Sequence, residues 1–209
     1  NWSSKLIELP RGALLCSFRG MPVEDVQGWP VVCVSPDGQT DHWPDSPCVL
    51  LYDLPVSIRQ LEQICRKLGR AERIYLLFRQ PDHYFFSWPT RDHFKWYYAF
   101  LKQRGFFDLK SEGPKLAKHK GWTTDTLTFM TEVFQDLEFV TVRDGRVQVV
   151  PQPKKKPLSS SLLYRQRAEE YELTQRLIYS SQAELIHYLS RLIDGESDPN
   201  VKEDMVYGF

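Results

Sequence analysis

Cations stand at regular places in the middle of this chain. Lys115, Lys118 and Lys120 follow one another closely, Trp122 comes directly after Gly121, Arg143 and Arg146 flank Asp144-Gly145, and Lys154, Lys155 and Lys156 sit between prolines. Side chains placed in this way contact phosphates without reading base sequence, and an indole at Trp122 offers a surface for an unpaired base. A plainer reading stands beside this one: a charge run is commonly a solvated face, and a Gly-Trp step before a helix supplies a hydrophobic staple. Against a nucleic acid stands the stretch Thr124 to Glu138, which carries Asp125, Glu132, Asp136 and Glu138 and no Lys or Arg.

Other residues have the chemistry for catalysis but lack the company it needs. Asp53 closes the apolar run CVLLYDLP, the place where ligands and catalytic acids lie in an open α/β sheet; a loop contact through Asp-Leu-Pro is the simpler role. Asp41-His42, Asp82-His83 and Asp92-His93 pair two metal-ligating types, with no further His or acid cluster beside any of them. Neither G-x-x-x-x-G-K-[ST] nor G-x-G-x-x-G follows an apolar run, which argues against a nucleotide site. Cys16, Cys33, Cys48 and Cys65 occur singly within apolar segments, without C-x-x-C, and are read as reduced core thiols of a cytosolic protein.

The elements that must position these residues begin with composition. The chain has 209 residues, 42% hydrophobic and 13% aromatic, enough to bury a core in one large or two small domains. Its zero net charge conceals an asymmetry: residues 1–90 hold 9 Lys/Arg against 10 Asp/Glu, 91–160 hold 13 against 8, and 161–209 hold 5 against 9. The middle part is the basic one, as a phosphate-contacting surface requires. No apolar run approaches the roughly 18 residues of a membrane span, and the Asn-Trp-Ser-Ser start, without Met or a signal pattern, is read as the start of an excised piece of a longer chain.

Residues 1–89 predict a small α/β domain, a mostly parallel sheet with a crossover helix. ALLCSF, PVVCVS, CVLLYDLP and RIYLLF read as strands. Ser57 caps a helix carrying Ile58, Leu61, Cys65 and Leu68 at helical spacing, and Gly69 is its stop signal. Residues 90–150 predict a winged-helix-like domain. Thr90 caps a helix with the stripe Phe94, Tyr97, Tyr98 and Leu101; a second helix starts at Pro114; Thr123 caps a third with Leu127, Met130, Phe134 and Leu137 inward; and FVTVRDGRVQVV pairs its valines across Asp144-Gly145. Residues 151–160 read as a flexible connector. Residues 161–209 read as a C-terminal helical segment with a break at Tyr179-Ser180-Ser181, an apolar side of Leu173, Leu177, Leu185, Tyr188, Leu189 and Leu192, and an acidic tail.

The span FSWPTRDHFKWYYAFLKQRGFFDLKSEGPKLAKHKGWTTDTLTFMTEVFQDLEFVTVRDG, with VLLYDLP and RIYLLF ahead of it, resembles the C-terminal accessory region of the RecJ family of single-strand-specific 5′ to 3′ DNA exonucleases in its Gram-positive form. The likeness runs from about Cys48 to Tyr188 and is weaker ahead of it. It implies a parent hydrolase of DNA repair and recombination whose nuclease core, a DHH phosphoesterase, binds Mn or Mg. In this chain each Asp-His is followed by Trp43, Tyr84 or Phe94, so the Asp-His-His motif is missing and the chain is expected not to cut DNA or to hold a metal cofactor. The resemblance further implies a cytoplasmic setting, the nuclease core in cis, single-stranded DNA, single-strand-binding protein and a helicase as partners. The favoured function is a non-catalytic accessory domain assisting single-stranded DNA binding or partner recruitment. One alternative is a docking module for the acidic, Phe-ended tail of single-strand-binding protein, which needs an apolar pocket rimmed by Arg or Lys. Another is a free-standing winged-helix DNA-binding regulator, disfavoured by the acidic third helix.

Overall fold

The computed structural model describes residues 12–20, 29–79 and 88–196. These fall into two compact units, one formed by described residues of Asn1–Pro81 and Glu169–Met205, the other by those of Asp82–Ala168. The Asp82-His83 pair and most of the acidic tail lie outside the described residues.

In the first unit, four strands β1 (Leu14–Ser17), β2 (Val31–Cys33), β3 (Cys48–Asp53) and β4 (Arg73–Arg79) form a sheet in the order β2-β1-β3-β4, every pairing parallel. All four coincide with the apolar runs of the sequence. β1 and β3 are buried at every position, as central parallel strands must be when both faces are covered. The crossover helix α1 (Ile58–Leu68) begins where Ser57 accepts a hydrogen bond from the Gln60 amide and buries Ile58, Leu61, Ile64, Cys65 and Leu68. Gly69 does end it, but at φ −59, so the stop needs no left-handed residue. Gly38 is needed as glycine: its φ is +85, and a Cβ there would lie 2.7 Å from the Gln63 side chain of α1.

The C-terminal helical residues from Glu169 onward belong to this unit. Their register follows the sequence stripe: Leu173 and Leu177 of α5 (Leu162–Tyr179), with Leu189 and Leu192 of α6 (Gln182–Ile193), pack with Leu14, Val49, Leu61 and Ile64. The break between the two helices is where the sequence puts it, with Ser181 and Glu184 forming a capping box. Cys16, Cys48 and Cys65 are buried free thiols, whereas Cys33 is exposed on the edge strand β2 and is no core residue.

The second unit runs α2 (Arg91–Arg104), β5 (Phe106–Asp108), α3 (Gly113–Lys120), α4 (Thr124–Asp136), β6 (Val140–Arg143) and β7 (Arg146–Val149), with a three-stranded antiparallel sheet in the order β5-β7-β6. Thr90 and Thr123 cap α2 and α4. Val140 pairs with Val149 and Val142 with Val147, which puts the four valines on one face against Phe94, Tyr97, Phe107 and Phe134. β5 is new relative to the sequence reading; three residues carry no periodicity, and the strand exists because Phe106, Phe107 and Asp108 pair with Gln148, Val147 and Arg146. Helix α4 is buried around most of its circumference, at Thr126, Leu127, Phe129, Met130, Thr131, Val133 and Phe134. Thr131 donates to the Leu127 carbonyl, so the Tyr97 hydroxyl, 2.8 Å away, donates to Thr131.

Of the connector, residues 156–160 are tied to this unit. Lys156 pairs with Glu138 at 2.7 Å, Leu158 packs against the core within a 3-10 turn (Leu158–Ser160), and Ser161 donates to Asp136. Among the described residues no helix is long and apolar enough to cross a membrane.

Two expectations follow for stability. Replacing Gln60, which bonds four backbone groups at the carboxyl end of the sheet (the Val56 amide and the Phe18, Val34 and Ser35 carbonyls), by Leu keeps the bulk and strands these partners; urea titration should show a loss of about 3 kcal/mol. Burial pushes the Tyr97 hydroxyl and the Cys65 thiol each up to about 12, and burial together with the Asp53 charge raises the Cys16 thiol as well. The unfolded chain gives up the Tyr97 and Cys65 protons near pH 8.5 to 10 and the folded one only near 12. The folded state therefore binds more protons in between, and stability present below pH 8.5 falls as pH rises toward 12. Urea midpoints between pH 10 and 12 should fall less steeply in Tyr97→Phe than in the parent chain.

Candidate nucleic-acid interface

The carboxyl end of the parallel sheet is occupied by the protein's own groups. Wholly buried Asp53 accepts from the Ser17 hydroxyl at 2.8 Å and from the Phe18 and Arg19 amides at 2.6 and 3.3 Å. Arg19 in turn donates to the Leu54 carbonyl and pairs with Glu170 at 2.7 Å. Asp53 is thus a structural clamp on the loop after β1, the simpler of the roles the sequence allowed. The Asp92-His93 pair finds an equally local use. Asp92 pairs with Lys95 at 3.2 Å, and His93 accepts from the Thr90 amide to complete a capping box at α2. Among the described residues no group of three or more His, Cys, Asp or Glu gathers as metal ligands do.

The cations of α3 divide. Lys115 and Lys118 are exposed, while Lys120 is half-buried, with Nζ 4.0 Å from the Trp96 ring centroid and 5.8 Å from that of Trp122. Helix α3 ends in a Schellman motif: Gly121 at φ +68 donates to the Lys118 carbonyl and Trp122 to the Ala117 carbonyl at 2.8 Å. That closure turns the Trp122 indole onto the core, where it meets Trp96 edge-on at 5.5 Å and His93 at 5.2 Å. Trp96 is stacked on Phe100 with an interplanar angle of 14°. The geometry places Trp122 as a packed turn residue, and the Trp96 ring, which sequence reasoning missed, holds the ammonium of Lys120 by a cation–π contact of about 0.5 to 2 kcal/mol. The signal lay in the i, i+4 spacing of Trp96 and Phe100 on an already full helix.

At the hairpin tip, Asp144 and Gly145 both have positive φ, +51 and +82. The two-residue turn sets Arg143 directly opposite Arg146, and both are exposed, with no ion pair among the described residues. Like charges so placed repel, and an anion between them relieves the cost. Lys110, also unremarked in the sequence, lies along the turn, since a Cβ on Gly145 would stand 3.1 Å from its side chain. Lys154 and Lys155 are exposed, whereas Lys156 is engaged by Glu138, whose carboxyl it holds below the usual range through their hydrogen bond. Asp125, Glu132 and Asp136 line the outward side of α4, which presents no cation.

The first unit has a separate feature. An open cavity of about 730 Å³ is lined by the apolar Trp43, Val49 and Ala71, the cations Arg66, Lys67 and Arg70, and the acids Asp45 and Glu72. Lys67 bonds Thr40 at 2.7 Å and lies 5.6 Å over Trp43.

Residues 30–189 match a family model described as the single-strand DNA-specific exonuclease, C terminal domain. Over 156 residues the chain is 45% identical to the single-stranded-DNA-specific exonuclease RecJ of Bacillus subtilis (strain 168), covering 74% of this chain and 20% of that protein. It therefore spans about a fifth of the length of that curated relative. No solved structure matches the chain. With three quarters of its length under the family model, the chain belongs to the C-terminal domain family of the single-strand DNA-specific exonucleases.

Proposed function

We propose that this chain is the non-catalytic accessory domain of a RecJ-like, cytoplasmic 5′ to 3′ exonuclease, and that it helps hold single-stranded DNA by its phosphates. The observation that carries this reading is the exposed Lys115 and Lys118 beside the ring-held Lys120 on one short helix, in a unit whose order of helix, strand, helix, helix and hairpin supports the winged-helix expectation. Arg143, Arg146, Lys154 and Lys155 are further exposed cations of the same unit. Catalysis, with its Mn or Mg, belongs in this reading to the nuclease core in cis, with a helicase and single-strand-binding protein as further partners. A free-standing regulator reading major-groove sequence fits less well: α4 is mostly buried, and what it exposes is acidic.

A second reading is favoured by the Trp43 cavity. A lining of Trp43, Val49 and Ala71 with three cations against two acids supports a peptide that is acidic and ends in an aromatic residue, the chemistry of a single-strand-binding protein tail.

Anisotropy titration with a labelled single strand tests the first reading. Binding should be independent of sequence, lie in the non-specific range of about 10⁻⁴ to 10⁻⁶ M, and weaken steeply with salt. Replacing Lys115, Lys118 and Lys120 together by Ala should flatten the log-log salt slope by about 0.7 for each phosphate that is no longer neutralised. An unchanged slope removes these lysines from the interface. In the same cell, an acidic Phe-ended peptide should lose affinity on Arg66→Glu with Arg70→Glu if the cavity receives it. With Mn or Mg added, the chain alone should leave the strand intact.

A further inference from the structure

The outward face of β5-β7-β6 differs in kind from the lysines of α3. Strand alternation turns Phe107 into the core and Phe106 out to solvent, where it is 65% exposed. The register aligns two rows across the sheet: Phe106, Gln148 and Thr141 in one, Asp108, Arg146 and Arg143 in the other. Together these residues line an open concavity of about 690 Å³. A face that needed only to be solvated has no use for an uncovered phenyl ring, and the other rings near cations in this unit are already engaged. Trp96 carries Lys120 and Phe100, and Trp122 is packed by its Schellman turn.

We infer that this face takes an unpaired nucleotide of single-stranded DNA, with its base laid on Phe106 and its flanking phosphates on Arg143 and Arg146. Gln148 and Thr141, in the ring's own row, offer an amide and a hydroxyl to the base edge. Every base has a π-face, so such a platform tolerates sequence, and it selects single strands because a paired base keeps both faces in the stack. Arg143 and Arg146 oppose each other across the hairpin with Lys110 along the turn, and Asp108 and Asp144 share the lining. Asp108 accepts from the Ser111 and Lys110 amides on one oxygen and is attracted by Arg146, and these together hold its pKa low. The inference rests on the proposed DNA-holding role and adds to it the group that distinguishes single from double strands.

The test compares the parent chain, Phe106→Ala, Phe106→Trp and the Lys115/Lys118/Lys120 triple Ala variant in anisotropy titrations at one low salt concentration. The probes are an oligothymidylate of about ten nucleotides, a duplex of equal length, and an acidic Phe-ended peptide. Because Phe106 is exposed, its removal leaves the core intact, which circular dichroism verifies. Phe106→Ala should weaken the single strand by about 5- to 150-fold, the range seen when one stacked base loses its ring, leave the duplex unchanged, and be rescued by Phe106→Trp. The triple lysine variant should weaken both nucleic acids. Single-strand affinity within about twofold of the parent in Phe106→Ala, with the lysine variant still impaired, would sink the platform and leave the accessory reading standing. If the parent binds neither nucleic acid, both fall. Loss of the peptide rather than the oligonucleotide on Phe106→Ala overturns the platform in favour of a protein contact.

Discussion

Parallel strands end on amides and carbonyls that their own ladder does not satisfy, and in the first unit two wholly buried side chains meet that need. Asp53 takes the hydroxyl and two amides after β1, and Gln60 reaches from α1 to three carbonyls and an amide of the neighbouring loops. An unpaired buried polar group costs roughly 1 to 3 kcal/mol, so a site with this many of them is either filled from within or by a ligand. Here it is filled from within, and Arg19 with Glu170 extends the closure. Asp53 and Gln60 are consequently structural here, and an open concavity of about 740 Å³ lined by Phe18, Arg19, Val34, Ser35 and Asp37 remains at this end of the sheet.

The second unit meets a different constraint. Its core is made of rings, with Phe94, Tyr97, Phe107, Phe129 and Phe134 in mutual contact range. Holding them together takes most of the surface of α4. What remains of that helix faces outward as Asp125, Glu132 and Asp136, so cation-bearing contacts are left to α3 and the hairpin. Magnitudes sort these cations. The exposed Lys156–Glu138 pair contributes at most about 1 kcal/mol, yet it occupies a lysine that the sequence offers as a phosphate contact. Lys120 is held in place by Trp96, while Lys115, Lys118, Arg143 and Arg146 are exposed and have no ion pair among the described residues.

Much of this was legible in order of residues alone, because the determining physics is local. The four apolar runs are strands, and the two central ones, β1 and β3, are apolar nearly throughout since a strand buried on both faces must be. Ser57, Thr90 and Thr123 are caps since a hydroxyl there satisfies an otherwise orphaned amide. Asp144-Gly145 is a turn since both residues accept positive φ, and that turn dictates which valines share a face. The family likeness was legible for the same reason, being carried by the residues that build these elements.

What the order of residues left open was decided by contacts between distant segments. Whether Asp53 binds a ligand or a loop depends on Ser17 and Arg19, more than thirty positions away. Trp122 packs because the α3 closure and Trp96 meet it, and β5 exists only because β7 lies beside it. Cys33 looked like a core residue in a valine-rich run, but strand order put β2 at the sheet edge and the thiol in solvent. Local propensity carries no information about which partner a side chain meets; that follows from packing, and packing assigns the lysines, arginines and rings of this chain to core, clamp or open surface.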